Sequence, residues 1–330
     1  MTSVSQPETA QPTPKLAIFP WPDARQVLIS MNPKAGSRSR HEHVAEIKSS
    51  LESAGFEVLQ MTDLGELSAL AVAGHESGKL RVVLAIGGDG TASVVRNHVP
   101  LEIPLLNVPM GTENLLGRYL GQLATPEAVC RTVEEGVVVS LDLGKAGDKV
   151  FLLMISAGFD AEVIRALHES RRGNIRRTAY FLPALKTITG YTYPQLRLYS
   201  ESDDATASPR LCRWLFGFNL PLYALGLPIT PDAVATDGLL DVCTFERGAV
   251  WGVARYLWHV MRKIHHTLPD AGLSRTGRFR LEPTTSASVA YQIDGDFGGT
   301  LPVDVEVLAG QLRLLVSRET ACRLGFTVEQ

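Results

Sequence analysis

The stretch VVLAIGGDGTASVV, residues 82–95, decides the fold. An unbroken apolar run ends in Gly87-Gly88-Asp89-Gly90-Thr91, and small and β-branched residues then resume. A run that is apolar at every position is a strand buried on both faces, as in a parallel sheet covered by helices. Glycines at its end let a ligand approach the backbone closely. Their N–H groups, with the N-terminus of the next helix, form an anion site. Thr91 is expected to cap that helix. An acid among anion-binding groups repels phosphate unless a divalent cation or a transferable proton is present. Asp89 therefore points to metal-assisted phosphoryl transfer.

The pattern repeats on either side. Strand-like runs at 25–31, 56–62 and 103–109 alternate with helix-like runs at 41–55 and 65–78. The loop after the first strand holds Asn32, Pro33, Lys34, Ala35, Gly36 and Ser37. Pro33 fixes the chain, Gly36 opens the backbone, and Lys34 and Ser37 can meet phosphate oxygens; the same residues also suit an ordinary turn. In PMGTENLLGR, residues 109–118, Gly111 and Thr112 open a helix with Asn114 and Arg118 on its first turns, and a plain capped helix reads equally well. These loops follow strand C-terminal ends, where open α/β sheets bind ligands.

The second half alternates with period 2, as at Val289, Tyr291 and Ile293 or Val303, Val305 and Val307. That is the pattern of an antiparallel, sandwich-like domain. Ala309-Gly310 reads as a hairpin turn. Helical stretches are expected near 161–189 and 249–267. In SVAYQIDGDF an alternating strand releases Asp294 and Asp296 at a glycine turn, where either acid can serve as a general base or simply as turn chemistry.

With 330 residues, two domains are expected. A formal net charge of −3 gives no global pull toward nucleic acid. The four cysteines have neither zinc nor CxxC spacing, which fits a reducing compartment. Residues 1–23 read as a disordered tail without the apolar core of a signal peptide. No run approaches the roughly 20 apolar residues of a membrane span. There is no GxxxxGK[ST] and no GxGxxG after a strand, which excludes P-loop and Rossmann dinucleotide readings.

Asn32-Pro33-…-Gly36, Gly87-Gly88-Asp89-Gly90-Thr91 and Pro109-…-Gly111-Thr112-…-Asn114 resemble, in order and spacing, the diacylglycerol kinase catalytic-domain family, which includes bacterial lipid kinases and sphingosine kinases. SAGFDAEV (156–163), TDGLLDV (236–242) and IDGD (293–296) resemble its later motifs. The sequence departs from the family pattern at Ser93-Val94, where a pair such as Asn-Glu is usual. It also departs at Asp296, where the family has Glu, and at Leu115, where an acid is common.

The resemblance implies an α/β nucleotide-binding domain with a parallel sheet (24–150), an antiparallel β-sandwich lipid-substrate domain (151–308), and ATP in the cleft between them. It implies a C-terminal segment (309–330) that packs back on the first domain. Asn32 to Ser37, Thr62, Gly87, Gly88, Gly90, Thr91, Gly111, Thr112 and Asn114 would line the nucleotide site. Asp89 would act with Mg²⁺, and Asp294 or Asp296 would take the proton from a lipid hydroxyl. Asp237 with the carbonyls of Val234 and Leu239 resembles a structural Mg²⁺ site. The expected partner is a lipid substrate at a membrane surface, with cytoplasmic, peripheral membrane localisation; a homodimer is compatible. The alternatives are a soluble-substrate kinase of the NAD-kinase type and a catalytically decayed lipid- or nucleotide-binding module. Basic and aromatic residues mix at 165–194, with Arg171, Arg172, Arg176 and Arg177, and again at 250–266. Both suit an anionic lipid surface, and both equally suit amphipathic helices packed on the sandwich with a solvated basic face.

Overall fold

Every residue of β4 (Leu80–Gly87) is buried, and this places it in the interior of a parallel sheet. The computed structural model describes residues 15–18, 20–31, 38–170, 190–201, 208–223 and 226–328. In it β4 lies between β2 (Gln26–Met31) and β5 (Leu105–Pro109), with β3 (Glu57–Met61) beyond β2. All these pairings are parallel. Helices α1 (Arg38–Ser53) and α5 (Pro126–Glu135) cover one face, packing Ile47, Leu51 and Val133 with Ile29 and Leu84. Helices α2 (Leu64–Glu76), α3 (Asp89–His98) and α4 (Leu115–Leu120) cover the other, with Leu67, Val95 and Leu116 among Leu28, Val83 and Leu105. Local chemistry sets the helix ends. Asp63 caps α2 through the Glu66 N–H, and Thr125 caps α5 ahead of Pro126.

The second domain contains an antiparallel sheet in the order β13 (Ala271–Thr276), β12 (Leu240–Phe245), β11 (Trp214–Phe218), β8 (Met154–Gly158), β15 (Ala290–Ile293), β16 (Asp296–Thr300). It packs on β9 (Leu196–Ser200), β10 (Arg210–Cys212), β14 (Arg278–Pro283) and the first part of β17 (Val303–Val316). Leu198, Leu215, Phe279, Tyr291 and Val305 fill the space between the two layers. Helix α6 (Phe159–Ser170) follows β8, and α7 (Val250–Met261) follows β12.

Strand β17 belongs to both domains. Its start pairs with β14, most of its length pairs with β6 (Val137–Ala146), and Leu314 lies parallel to Leu105 of β5. The chain then enters α8 (Arg318–Arg323), whose Thr320 hydroxyl donates to Leu120 O at 2.8 Å. Finally β18 (Phe326–Thr327) pairs with β1 (Lys15–Leu16).

One local expectation is corrected, and two apolar runs are divided. Ala309-Gly310 is no hairpin turn: both halves of β17 pair with β6, and the register shifts between Leu308 and Leu312. Gly310 (φ +65°) forms a bulge because its N–H donates to Asp142 Oδ1 at 2.9 Å. The run 149–156 is not one strand. It breaks after β7 (Lys149–Phe151) because the N–H groups of Leu152 and Leu153 leave the ladder for a side chain described below. The run 211–219 is also divided, since β10 and β11 lie in different sheets with Arg213 at the corner. Among the described residues no helix is long and apolar enough to cross a membrane, and the four cysteines are free.

Asp142 is a buried joint. Its Oδ2 accepts the Gly238 N–H at 2.7 Å and its Oδ1 accepts the Gly310 N–H, so one carboxylate fastens β6, the 234–239 turn and the β17 bulge. Asp142→Ala leaves two N–H groups without an acceptor and is expected to cost about 2–4 kcal/mol. Denaturant unfolding checks this; a loss within about 0.5 kcal/mol, as for an ordinary surface change, contradicts it.

Candidate active site

The glycine loop of β4 meets the loop of β5 backbone to backbone. A Cβ on Gly111 would stand 2.4 Å from the Gly88 Cα, closer than any side chain permits. The Met110 N–H donates to Gly87 O at 2.7 Å. Thr91 folds over Gly87, where an added Cβ would lie 2.2 Å from its hydroxyl. Thr91 is therefore not the helix cap. Gly88 is the N-cap of α3, in extended conformation, and Thr91 lies inside the first turn. Asn114, at φ +49°, closes the second loop by accepting the Gly111 N–H at 2.7 Å and donating to Gly111 O at 3.0 Å. Helix α4 begins after Asn114, later than Gly111 and Thr112.

Asp89 fastens these two loops to each other. Its Oδ2 accepts the Leu115 N–H at 2.9 Å and its Oδ1 the Leu116 N–H at 3.0 Å. The first residue of α3 thus caps α4, and Leu115, where the family often has an acid, supplies one of the donors. Each oxygen keeps a second lone pair facing away from that bond.

The turn after β15 approaches from the second domain. Asp294, at φ +51°, turns its carboxylate inward. Leu152 N–H donates to Oδ2 at 2.8 Å, and Leu153 and Met154 N–H donate to Oδ1 at 2.8 and 3.2 Å. The Ser93 hydroxyl of α3 adds a fourth hydrogen bond. Four donors occupy the four lone-pair positions of a carboxylate. The residue keeps some exposed surface, but its carboxyl group is enclosed, and desolvation raises its pKa to about 6 against the pull of those donors. Asp296 has a different setting. Its Oδ2 lies 3.6 Å from where a Cβ on Gly90 would stand, so it faces the glycine loop across the cleft. Helix α3 also holds β7 through Asn97, which donates to Val150 O and accepts the Val150 N–H, both at 2.9 Å.

Behind that turn lies an apolar cavity of about 370 Å³ lined by Phe159, Trp214, Phe216, Phe245, Tyr256 and Val260, among others. Among the described residues its wall carries one acid, Asp160. The Tyr223 hydroxyl donates to Asp160 Oδ1 at 2.6 Å, and the Ser156 hydroxyl to Oδ2 at 2.5 Å. Burial raises the pKa of Asp160 above the usual carboxylate value and pushes Tyr223 well above 10. Gln292 links this acid to the turn after β15. Its Nε2 donates to Ser156 Oγ at 2.9 Å and to Asp160 Oδ2 at 3.3 Å, while its Oε1 accepts the Gly295 N–H at 2.8 Å. SAGFDAEV is visible as a motif, but the roles of Asp160, Tyr223 and Gln292 are not legible in the sequence. The available signal is an acid set in an apolar run.

Asn32, Pro33, Lys34, Ala35, Gly36 and Ser37 lie outside the described residues, as do Arg171, Arg172, Arg176 and Arg177. Thr62 is exposed just after β3. Asp237 is exposed on the 234–239 turn with its Oδ1 on the Leu239 N–H at 3.0 Å. The resemblance puts a structural Mg²⁺ at this turn with the Val234 and Leu239 carbonyls, and a carboxylate with main-chain carbonyls is the kind of hard oxygen donor that Mg²⁺ prefers. Among the described residues no group of three or more His, Cys, Asp or Glu side chains forms a metal cluster.

Comparison with known proteins identifies the family and the fold. A family model described as "Diacylglycerol kinase catalytic domain" matches residues 26–146, and one described as "YegS C-terminal NAD kinase beta sandwich-like domain" matches residues 153–316. The chain is 24% identical to a diacylglycerol kinase of Bacillus subtilis over 310 residues, covering 91% of this chain and 99% of that one. A crystal structure of a diacylglycerol kinase from Bacillus anthracis shares the fold with a TM-score of 0.64 at 20% identity, covering 89% of this chain and 98% of that one. An NAD kinase from Archaeoglobus fulgidus, solved in complex with ATP, shares the fold more distantly, with a TM-score of 0.51 at 13% identity over 91% of this chain and 96% of that one.

Asp294→Asn turns an amide NH₂ toward main-chain N–H groups and is expected to cost about 1–3 kcal/mol. The native carboxyl holds its proton to about pH 6, while an unperturbed one loses it near 3.8. This raised pKa contributes stability that is complete below the unfolded value and lost as pH rises through the native one. The stability gap between wild type and Asp294→Asn should therefore narrow from about pH 4 to about pH 6 and then level off. A gap that widens over that range contradicts the assignment.

Proposed function

Since the chain belongs to the diacylglycerol kinase catalytic-domain family, we propose that it transfers the terminal phosphoryl group of ATP to the hydroxyl of diacylglycerol or a related lipid alcohol. The observation that carries this reading is the apolar cavity, whose one acid is tied through Gln292 to the turn that holds Asp296. An aromatic-lined cavity suits acyl chains, and a carboxylate at its wall suits a hydroxyl-bearing headgroup.

Phosphoryl transfer needs alignment and charge neutralisation more than covalent help. Backbone N–H groups of the loops around Gly88 and Gly111 bind nucleotide phosphates, and Asp89 holds the two loops at their spacing. Asp296 accepts the proton of the lipid hydroxyl as its oxygen bonds to the terminal phosphorus. The bond from that phosphorus to the bridging oxygen breaks, and its electron pair leaves with ADP. Asp294, with its four lone-pair positions taken, is a positioning residue that sets where Asp296 stands. Mg²⁺, when bound, supplies charge neutralisation at the phosphates; the second lone pairs of Asp89 fit that task, and the Asp237 turn fits a separate structural ion.

The fold likeness to an NAD kinase keeps a soluble nucleotide acceptor as the second reading. The apolar cavity disfavours it, because NAD has no use for such a lining.

With a short-chain diacylglycerol as acceptor, Asp296→Asn should lower kcat by about 10²–10⁴-fold with ATP affinity unchanged. Gly111→Ala should abolish ATP binding by prising the loops apart while the chain still unfolds cooperatively. Near-normal kcat in Asp296→Asn rules out its assigned role, and full ATP affinity in Gly111→Ala rules out the loop pair as the phosphate site.

A further inference from the structure

Helix α7 has its apolar side outward. Trp251 is 86% exposed, Met261 60%, Trp258 50% and Leu257 45%. With exposed Ala254, these residues recur at helical spacing on one face. The opposite face is occupied, since Tyr256 and Val260 are buried and, with Val253, line the apolar cavity, which Leu257 reaches from the edge between the two faces. A helix that packs on a domain normally presents polar residues to water. Here one face lines the cavity, and the other, which is also apolar, is not covered by any of the described residues.

Charge singles out the occupant. No Asp or Glu occurs from 247 to 269, although the whole chain carries a net charge of −3. Arg247 and Arg255 share the one carboxylate of Asp270. Arg262 and Lys263, both exposed at the end of the helix, pair with no carboxylate among the described residues, and Arg262 lies 5.4 Å over the Trp258 ring. Exposed tryptophans next to unpaired cations match the boundary of an anionic bilayer, where indoles sit at headgroup level and cations meet lipid phosphates.

We propose that α7 docks the protein on an anionic lipid surface, with Trp251, Trp258 and Met261 inserted and Arg262 and Lys263 at the headgroups, so that the cavity opens toward the bilayer. The choice of a bilayer over a protein partner rests on the lipid-kinase reading, because the same helix forms the cavity wall. A lipid alcohol then passes from membrane to cavity along Leu257 without crossing water.

The test is sedimentation of the full chain with vesicles of phosphatidylcholine alone or mixed with phosphatidylglycerol, and tryptophan quenching by brominated lipid. Wild type should bind the anionic vesicles in a salt-sensitive way and be quenched. Trp251→Ser with Trp258→Ser should weaken binding at least about tenfold, and Arg262→Glu should remove most of the preference for phosphatidylglycerol. All three substitutions should leave kcat on a dispersed short-chain diacylglycerol unchanged. The proposal is overturned if wild type ignores vesicles, or if the double variant binds them as well as wild type. It is also overturned if sedimentation velocity shows a dimer that the double variant dissociates while vesicle binding persists. A chain that docks through α7 but phosphorylates no lipid upholds the docking and ends the lipid-kinase reading; an active kinase indifferent to the α7 variants does the reverse.

Discussion

The carboxylate of Asp294 is the constraint on which the rest of the site depends. It takes the N–H groups of Leu152, Leu153 and Met154 and the Ser93 hydroxyl. That single group ends β7, starts β8, fixes the turn after β15, and ties all three to the helix that follows the glycine loop. Without it the two domains could still fold on their separate cores, but no bond of comparable strength would set the distance from Asp296 to Gly90. A buried polar group whose every position is filled stiffens its surroundings more than an apolar contact does, because each partner left unmade is costly.

Around that joint the architecture divides the labour. The parallel sheet delivers its loops at one edge, and the glycines allow those loops to touch where side chains would hold them apart. The sandwich delivers an acid turn to the same place, and Gln292 ties that turn to the cavity wall. Strand β17 joins strands of both domains in one continuous sheet, so a displacement of one domain strains the ladder of the other. Asp89 and Asp294 both bind main-chain N–H groups with both oxygens, one on each side of the cleft. Asp296, on the same turn as Asp294, faces the glycine loop.

What could be read from the sequence follows from the range of each interaction. The βα repeats and the glycine loops are legible because buried strands and close backbone approaches impose residue types locally. The alternation at 289–293 and 303–307 reads as antiparallel sheet for the same reason. Ala309-Gly310 looks like a turn because glycine marks turns and bulges alike, and only the distant Asp142 decides between them. Ser93 looks like a loss against the family pattern, yet in three dimensions it is a donor to Asp294. Asp160, Tyr223 and Gln292 meet across 63 and 132 residues of chain, which no local pattern encodes. The basic, aromatic character of 250–266 is visible in one dimension, but which face of α7 is outward depends on the sandwich beneath it.

The central claim is that the cleft joins a nucleotide site to a lipid-alcohol site. The most direct measurement is a competition in one tube: radiolabelled ATP and Mg²⁺ with the full chain, mixed micelles carrying diacylglycerol and a sphingoid base, and free NAD. The account predicts label in a lipid and none in the dinucleotide. Label in the dinucleotide, or ATP bound with no acceptor labelled at all, would contradict it.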